Sequence, residues 1–329
     1  FLNVLYGILF DIFITFFNRI IFFFYCKLFF KQIYDIVNES DIIISKGGSF
    51  LCNKPYLIDK LRLQRELLIF KFCQKLDKPV FIFGQSIGPV SGHFSKKNLI
   101  SVLKKNKLNI LCERQCVSEY PEIFKSLSNI IFGHDLAFSL NSNLKNNKHI
   151  GKIINIGITV KTFDTDEKNK KYIDLIVNLI SYVNKHYTCK FHFIPHVTID
   201  DDIIQSNLIF SKLDNNLKSK CFVDKNNYTI DELLSIYRDK SLLIGTRLHS
   251  TIFSLVVNTP VINVGYHGTK SKGVFADCQL QDYQFEINDD KFLIQKSIKK
   301  LLEKNFDFSK KLDEIKLDNL KMTKKIINH

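Results

Sequence analysis

The chain has 329 residues, of which 45% are hydrophobic, and its formal net charge at pH 7 is +14. Its 13 glycines and 6 prolines exclude a fibrous or low-complexity protein, and its length predicts two domains. The basic charge suits a nucleic acid, an anionic membrane or an acidic ligand. No nucleic-acid motif accompanies it, so we expect no nucleic-acid partner and interpret it as a lysine-biased surface, with membrane or polyanion attraction second.

The eight cysteines stand singly along the chain. They show neither C-x-x-C nor paired Cys/His spacing, so the sequence supports no zinc site and no disulfide framework. We therefore expect reduced thiols, as in a cytoplasmic protein, and no metal site.

The first 30 residues are rich in Phe, Ile and Leu, but Asp11, Asn18, Arg19 and Lys27 interrupt them. No uninterrupted run reaches the about 18–20 apolar residues that a membrane-spanning helix needs. No basic start or small-residue cleavage site of a signal peptide is visible. We expect an amphipathic helix that is either buried in the first domain or in peripheral contact with a membrane.

Apolar runs then alternate with helical patterns. Strands are predicted at 41–45, 79–83, 109–112 and 129–132, and helices at 56–76 and 96–105. Glycines or polar side chains follow the first three strands: Gly47 and Gly48, then Gln85 and Ser86, then Arg114. The glycines indicate either a turn that needs positive φ or a close approach of the backbone to a ligand. Gln85 and Ser86 either bind a ligand or satisfy local backbone groups.

Asp135 follows the fourth strand, where capping of the next turn and a catalytic role are equally good interpretations. The polar segment 141–152 predicts an interdomain linker. Beyond it we predict strands at 153–160, 190–194, 221–223, 241–244 and 261–264, helices at 172–184, 230–237 and 292–302, and a charged loop at 162–169. The predicted domains are an N-terminal α/β domain at 1–145, a C-terminal α/β domain at 150–310, and a basic helical tail at 311–329.

The segment from residue 240 to 273 contains the densest group of candidate site residues. Its short strand is followed by Arg247, Leu248, His249 and Ser250, which open a helix, and a Gly- and Lys-rich loop with Lys270 comes after the next strand. Ligands bind at the carboxyl edge of open α/β sheets. The unpaired amides of a first helical turn favour an anion there, an arginine can grip it in bidentate fashion, and a histidine can exchange a proton near neutral pH.

His196 ends an earlier strand at the same predicted edge, so it is a further candidate for this site. The neighbouring run 200–202 contains three aspartates. We interpret them as charges that suit a helix N-terminus, because no His or Glu at metal-ligand spacing accompanies them.

Four segments together resemble the polysaccharide pyruvyl transferase family: DIIISKGGS at 41–49, KPVFIFGQSIGP at 78–89, GHDLAF at 133–138 and GTRLHS at 245–250. The resemblance implies two Rossmann-like domains facing across a cleft, a GT-B-like fold. It also implies transfer of pyruvate from phosphoenolpyruvate, as co-substrate, onto two hydroxyls of a sugar. The acceptor would belong to a cell-surface polysaccharide or its lipid-linked precursor at the inner face of the membrane, and no cofactor is required.

In this scheme Arg247, Leu248, Ser250 and Lys270 hold the donor, with His196 beside them, and His249 is the candidate acid. The base is Asp135 or His196. Gly47, Gly48, Gln85, Ser86 and Arg114 form the acceptor side. Gln115 stands where the family has an acidic residue, and Ser49 where it has a third glycine. Two alternatives stay open: a nucleotide-sugar glycosyltransferase, and a non-catalytic basic protein that binds membranes or polyanions.

Overall fold

The computed structural model describes residues 28, 30–141, 153–196, 201–265 and 269–328. The chain forms two compact units. The first comprises Phe1–Leu136, Gly268–Val274 and Asp318–His329, and the second comprises Ala137–His267 and Phe275–Leu317. The predicted linker at 141–152 lies almost wholly outside the described residues, as do the apolar first 27.

The first unit contains a four-stranded parallel sheet in the order β1-β2-β3-β4. Its strands are Ile43–Lys46 (β1), Val80–Gln85 (β2), Leu108–Leu111 (β3) and Ile130–Phe132 (β4). Its helices are Lys31–Glu39 (α1), Leu57–Lys75 (α2), His93–Lys105 (α3), Gln115–Glu119 (α4) and Pro121–Phe124 (α5). All six residues of β2 are buried, as expected for a central parallel strand covered on both faces.

The second unit contains a six-stranded parallel sheet in the order β10-β9-β8-β5-β6-β7. Its strands are Ile154–Thr159 (β5), Cys189–Phe193 (β6), Cys221–Val223 (β7), Leu242–Gly245 (β8), Val261–Gly265 (β9) and Gln284–Glu286 (β10). Its helices include Asp166–His186 (α6), Asp202–Lys212 (α7), Asn215–Lys218 (α8), Ile230–Arg238 (α9) and Leu248–Val256 (α10). Thr269–Asp277 (α11), Lys291–Glu303 (α12) and Ser309–Ile327 (α13) complete the described helices.

Each unit has its own hydrophobic core. In the first, Leu63 and Leu67 of α2 and Leu99 of α3 pack with buried strand residues such as Ile82. In the second, the inward residues of β5 and β6 pack against one face of α6, including Tyr172, which is fully buried. The predicted α/β class with two Rossmann-like sheets is confirmed.

Two predicted loops are helical. The segment 162–169 was predicted to be a charged loop, but α6 begins at Asp166 because the Thr165 hydroxyl accepts a bond from the Lys168 amide at 3.3 Å. Acidic residues in its first turn also suit the helix dipole. The Gly- and Lys-rich segment after β9 forms α11 rather than a loop.

The predicted domains at 1–145, 150–310 and 311–329 do not coincide with the two units. The first unit includes a stretch that follows β9 and the end of α13, because their side chains bond to residues after its own strands. Thr269 donates to Glu113 at 3.1 Å, and the His134 amide donates to Asn319 at 3.1 Å. Such pairings join residues far apart in sequence, so composition alone could not place the boundaries.

None of the helices in the described part of the chain combines the length and the apolar character that crossing a membrane requires.

Candidate functional site

The ends of β1 and β2 in the first unit meet at two glycines. A Cβ on Gly47 would lie 2.0 Å from the Gly84 carbonyl oxygen, so no side chain fits there. Gly84 has φ of 75°, whereas neither Gly47 nor Gly48 has positive φ. Of the two alternatives for these glycines, the turn that needs positive φ is therefore wrong, and Gly47 is required by close approach of the two strand ends.

Gln85 and Ser86 lie at this edge with no freedom to reorient. Both are buried, and the Gln85 amide donates to the Ser86 carbonyl at 3.0 Å. The Ser86 hydroxyl donates to Glu113 at 2.8 Å. Gln85 thus bonds to a local backbone group, as one of the two predicted alternatives has it, whereas Ser86 bonds to a side chain 27 residues away.

Glu113 is the centre of this network, and the sequence analysis did not single it out. It is fully buried, and besides Ser86 it accepts bonds from the Thr269 hydroxyl at 3.1 Å and the Cys116 amide at 2.9 Å. Arg114, which was singled out, is exposed, and its guanidinium lies 5.0 Å from the centre of the Phe132 ring. A carboxylate directly after an apolar strand was the available signal for Glu113.

Asp135 and Lys270 form an ion pair within the first unit. The Lys270 ammonium lies 2.7 Å from the Asp135 carboxylate, whose residue is 5% exposed. Asn319 donates to the Asp135 carbonyl at 3.4 Å and so fixes the same segment. The structure therefore places Lys270 beside Asp135 in the first unit, whereas the proposed donor residues Arg247, Leu248, His249 and Ser250 lie in the second.

In the second unit, hydroxyl pairs hold the turn between β8 and α10. The Thr159 and Ser250 hydroxyls are 2.6 Å apart, and the Ser250 hydroxyl donates to the Arg247 carbonyl at 2.6 Å. The Tyr172 and Thr246 hydroxyls are 2.7 Å apart. Because these bonds are buried, they fix the start of α10 at the carboxyl edge of the sheet.

Arg247 is the N-cap residue of α10 and is 7% exposed. Its guanidinium lies 2.5 Å from a carboxylate oxygen of Asp202, which is fully buried. The other Asp202 oxygen accepts a bond from the His196 amide at 3.2 Å. Asp201 is the N-cap residue of α7 and Asp202 lies in its first turn, as interpreted from the sequence, and the pairing of Asp202 with Arg247 is a further contact that the sequence did not show.

His196 and His249 both lie near the Phe253 ring. The His196 ring is 5.4 Å from the Phe253 ring centre and the His249 ring 6.4 Å from it, and His249 is exposed. Burial, together with the nearby charges of His249 and Arg247, lowers the pKa of His196 to about 4. The structure thus brings Arg247, His196 and His249 together, as the sequence predicted from their positions at strand ends.

This arrangement combines an arginine, an imidazole kept neutral and an exposed imidazole at one sheet edge. It suits binding of a small anion with a proton donor or acceptor beside it. The His196 Nδ1 atom lies 3.1 Å from the Tyr237 hydroxyl, which orients the ring. Among the residues that the structure describes, no group of three or more His, Cys, Asp or Glu side chains could hold a metal ion.

Solved structures with two Rossmann-like domains are similar to this chain. The Anabaena protein HepE, solved with UDP, has a TM-score of 0.54 at 11% identity over 91% of this chain and 82% of its own. Staphylococcus aureus TarM has a TM-score of 0.52 at 18% identity over 78% of this chain and 52% of its own. The chain spans 50% of the Thermobaculum terrenum O-GlcNAc transferase, with a TM-score of 0.49 at 10% identity over 88% of this chain.

The parallel sheets and the similarity to HepE and TarM define a fold of the GT-B class. Residues 4–268 match the family described as polysaccharide pyruvyl transferase, and the chain belongs to that family. No curated protein matches the sequence. Because the solved structures are under 25% identical, they establish the fold alone, and the reaction must be argued from the family and the site.

Proposed function

We propose that this enzyme transfers pyruvate from phosphoenolpyruvate onto two hydroxyls of one sugar and forms a cyclic ketal. The observation that carries the proposal is the grouping of Arg247, His196 and His249 at one sheet edge in a chain of this family. The donor has a carboxylate and a phosphate, so it needs cationic partners and helix amides. The acceptor is a cell-surface polysaccharide or its lipid-linked precursor, modified on the cytoplasmic side of the membrane.

The first chemical step is protonation of the methylene carbon of phosphoenolpyruvate, which becomes the methyl group of the product. A positioned acid accelerates this step. We assign it to His249, because its ring is exposed and stands beside Arg247, whose guanidinium would hold the donor carboxylate or phosphate. Protonation of the methylene carbon makes the central carbon of the donor electrophilic.

One sugar hydroxyl then adds to that central carbon and loses its proton, and the bond to the phosphate oxygen breaks. The second hydroxyl adds to the same carbon and loses its proton, which closes the ring. One of the two protons replaces the proton given to the methyl carbon, and the other leaves with phosphate. Neutral His196 is one candidate base and the Asp135 carboxylate is the other.

Binding of an anion beside His196 would raise its pKa, because the charged imidazole would gain an opposite charge. This change would let His196 accept a proton only when the donor is present. A low pKa in the unliganded protein is therefore compatible with a role of His196 as the base.

The test measures donor binding and product formation separately. Phosphoenolpyruvate should raise the melting temperature of the wild-type protein, and mass spectrometry of the producing cells should find pyruvyl ketals on surface glycans that vanish with the gene. His249→Gln should lower ketal formation by about 100-fold or more, the lower range for loss of a general acid. His186→Gln is the matched control, since His186 is an exposed histidine at the end of α6.

The second candidate is glycosyl transfer from a nucleotide sugar, which the GT-B fold itself favours. The same arginine would then contact a diphosphate. A rise in melting temperature with UDP- or GDP-sugars but not with phosphoenolpyruvate would replace the first proposal by this one.

A further inference from the structure

Four large apolar side chains of the first unit project into solvent where α2 and α3 begin. Their exposed fractions are 67% for Tyr56, 72% for Leu57, 71% for Ile58 and 65% for Phe94. We call these four residues the apolar tip. Single exposed apolar residues are common in soluble proteins, but a group with such exposure marks an interaction surface.

The starts of the two helices are held next to each other. The Lys60 side chain of α2 reaches within 3.4 Å of the position that a Cβ on Gly92, the N-cap residue of α3, would occupy. One turn further on, Asn98 donates to Gln64 at 2.7 Å. The apolar tip is therefore one surface shared by two parallel helix starts rather than two unrelated exposures.

Asn53 fixes the loop that carries most of this surface. Its side chain amide donates to the Ser91 carbonyl at 3.3 Å and to the Ser95 hydroxyl at 3.1 Å, and its oxygen accepts from the Ser91 amide at 2.5 Å. Asn53 is itself buried. The loop cannot fold its apolar side chains inward without breaking these bonds, so the exposure is built into the unit.

Basic side chains and helix amides surround the apolar tip. The basic residues are Lys54, Lys60, Arg62, His93 and Lys97, against one acidic residue, Asp59. Neither α2 nor α3 has a side-chain hydrogen bond at its N-cap, so the amides of two long helices face outward. Cationic side chains and helix N-termini both favour phosphate groups.

We infer that the apolar tip docks on an anionic bilayer surface. Its four side chains enter the region between the lipid headgroups and chains, and the surrounding cations and helix amides meet the lipid phosphates. The apolar tip together with the surrounding cations and helix amides favours a bilayer over a protein partner. A protein interface would not need phosphate-binding groups around the whole apolar tip. The inference does not depend on the reaction that the enzyme catalyses.

The test compares matched double variants for sedimentation with vesicles. Leu57→Ser/Ile58→Ser should weaken binding to phosphatidylcholine vesicles containing about one third phosphatidylglycerol by about tenfold or more. The control Phe292→Ser/Leu293→Ser changes two side chains of α12 with exposures of 65% and 55% and should bind like the wild type. The comparison is needed because the first 30 residues of the chain are also rich in apolar residues.

A second pair tests the charge. Lys60→Glu/Arg62→Glu should weaken binding to the anionic vesicles, whereas Lys170→Glu/Lys185→Glu on α6 should not. Equal effects of tip and control variants, or absence of wild-type binding, would overturn the inference, as would equal binding to vesicles of phosphatidylcholine alone. Light scattering without lipid tests whether a second copy of the chain covers the apolar tip instead. A dimer that only the tip variant dissociates would assign this surface to that second copy.

Discussion

Arg247 and Asp202 form an ion pair in the interior of the second unit. Asp202 has no exposure to water and Arg247 is 7% exposed, so removal of either partner leaves the other charge buried. A buried ion pair contributes little net stability compared with apolar residues, but breaking one is costly. Under the proposed function, this pair would hold the guanidinium in position for the donor anion.

We therefore expect Arg247→Ala to lower the free energy of unfolding by roughly 3–5 kcal/mol, because the Asp202 carboxylate loses its partner. Arg247→Met/Asp202→Leu should recover most of that loss while donor binding stays absent. Urea unfolding measures the stabilities and a phosphoenolpyruvate melting shift measures binding. If the single and double variants were equally unstable, the pair would not be coupled in the folded protein.

His196 makes stability depend on pH. The folded protein keeps its ring neutral down to a pKa of about 4, whereas in the unfolded chain the ring takes up a proton near its ordinary value of 6.5. Between these values the unfolded state binds more protons, so acidification favours unfolding. The stability is fully present above pH 6.5 and is lost as the pH falls towards 4.

His196→Asn should flatten this part of the pH profile. When the pH falls from 7 to 4, the free energy of unfolding should decrease by roughly 3 kcal/mol more in the wild type than in His196→Asn. Unfolding in urea at a series of pH values measures the slope, and His186→Gln is the control at an exposed histidine. Parallel profiles for the wild type and His196→Asn would show that burial does not shift this ring. Phosphoenolpyruvate should also lessen the wild-type slope if it raises the pKa of His196.

Among the structural elements, helix α11 depends on a glycine that faces a carboxylate. A Cβ at Gly273 would lie 2.3 Å from a Glu113 oxygen and 2.7 Å from the Glu113 Cβ. Gly273 thus lets the helix approach Glu113 closely enough for Thr269 to donate to the same side chain. The cost of a glycine within a helix is offset by this contact.

Gly273→Ala should lower the free energy of unfolding by about 1–3 kcal/mol through overpacking against Glu113. Gly265→Ala is the control, because its nearest neighbour is the flexible end of Gln284 at 3.1 Å. Combining Gly273→Ala with Glu113→Ala should cost less than the sum of the two single changes, since the contact with the carboxylate disappears and only the contact with the Cβ at position 113 remains. Strict additivity in the double variant would contradict the packing described for α11.

The sequence predicted short apolar strands well, because β7 and β9 are bounded by turn-forming and polar residues and need no long-range information. It failed at α11, where glycine and lysines resemble a loop, and it missed β10 and α8. Of the site residues, Arg247 and His249 could be placed from one local pattern. Glu113 and Asp202 could not, because their partners lie 156 and 45 residues away in the chain.

At the scale of the whole molecule, every strand pair in both sheets is parallel, so loops that follow strands collect at one edge of each sheet. Arg247 and His196 in one unit, and Ser86, Glu113 and Asp135 in the other, all come after strand ends. Each unit holds its own group of these residues, and each group follows several strands, so no single stretch of sequence contains either group. The chain also has a strong excess of basic residues, and their combined electrostatic field acts at longer range than any single contact.

The net charge of +14 should accelerate association with a small anion at low ionic strength. We expect kcat/KM for phosphoenolpyruvate to fall as sodium chloride rises, whereas kcat at saturating donor changes much less, because screening acts before binding. Steady-state kinetics at a series of salt concentrations measures both. If sodium chloride lowered only kcat, the salt would act on the chemical steps and not on the association of the donor.

The contact between Gly47 and Gly84 limits how the loop after β1 could be redesigned. A methyl group at position 47 would overlap the Gly84 carbonyl, so a library that varies the loop after β1 has to leave this position fixed. At the far end of the same loop, Asn53 is tied to Ser91 and Ser95. Between these two anchors Leu51 is buried in the core and its carbonyl accepts a bond from the Gly88 amide, so the position most open to variation is the exposed Ser49.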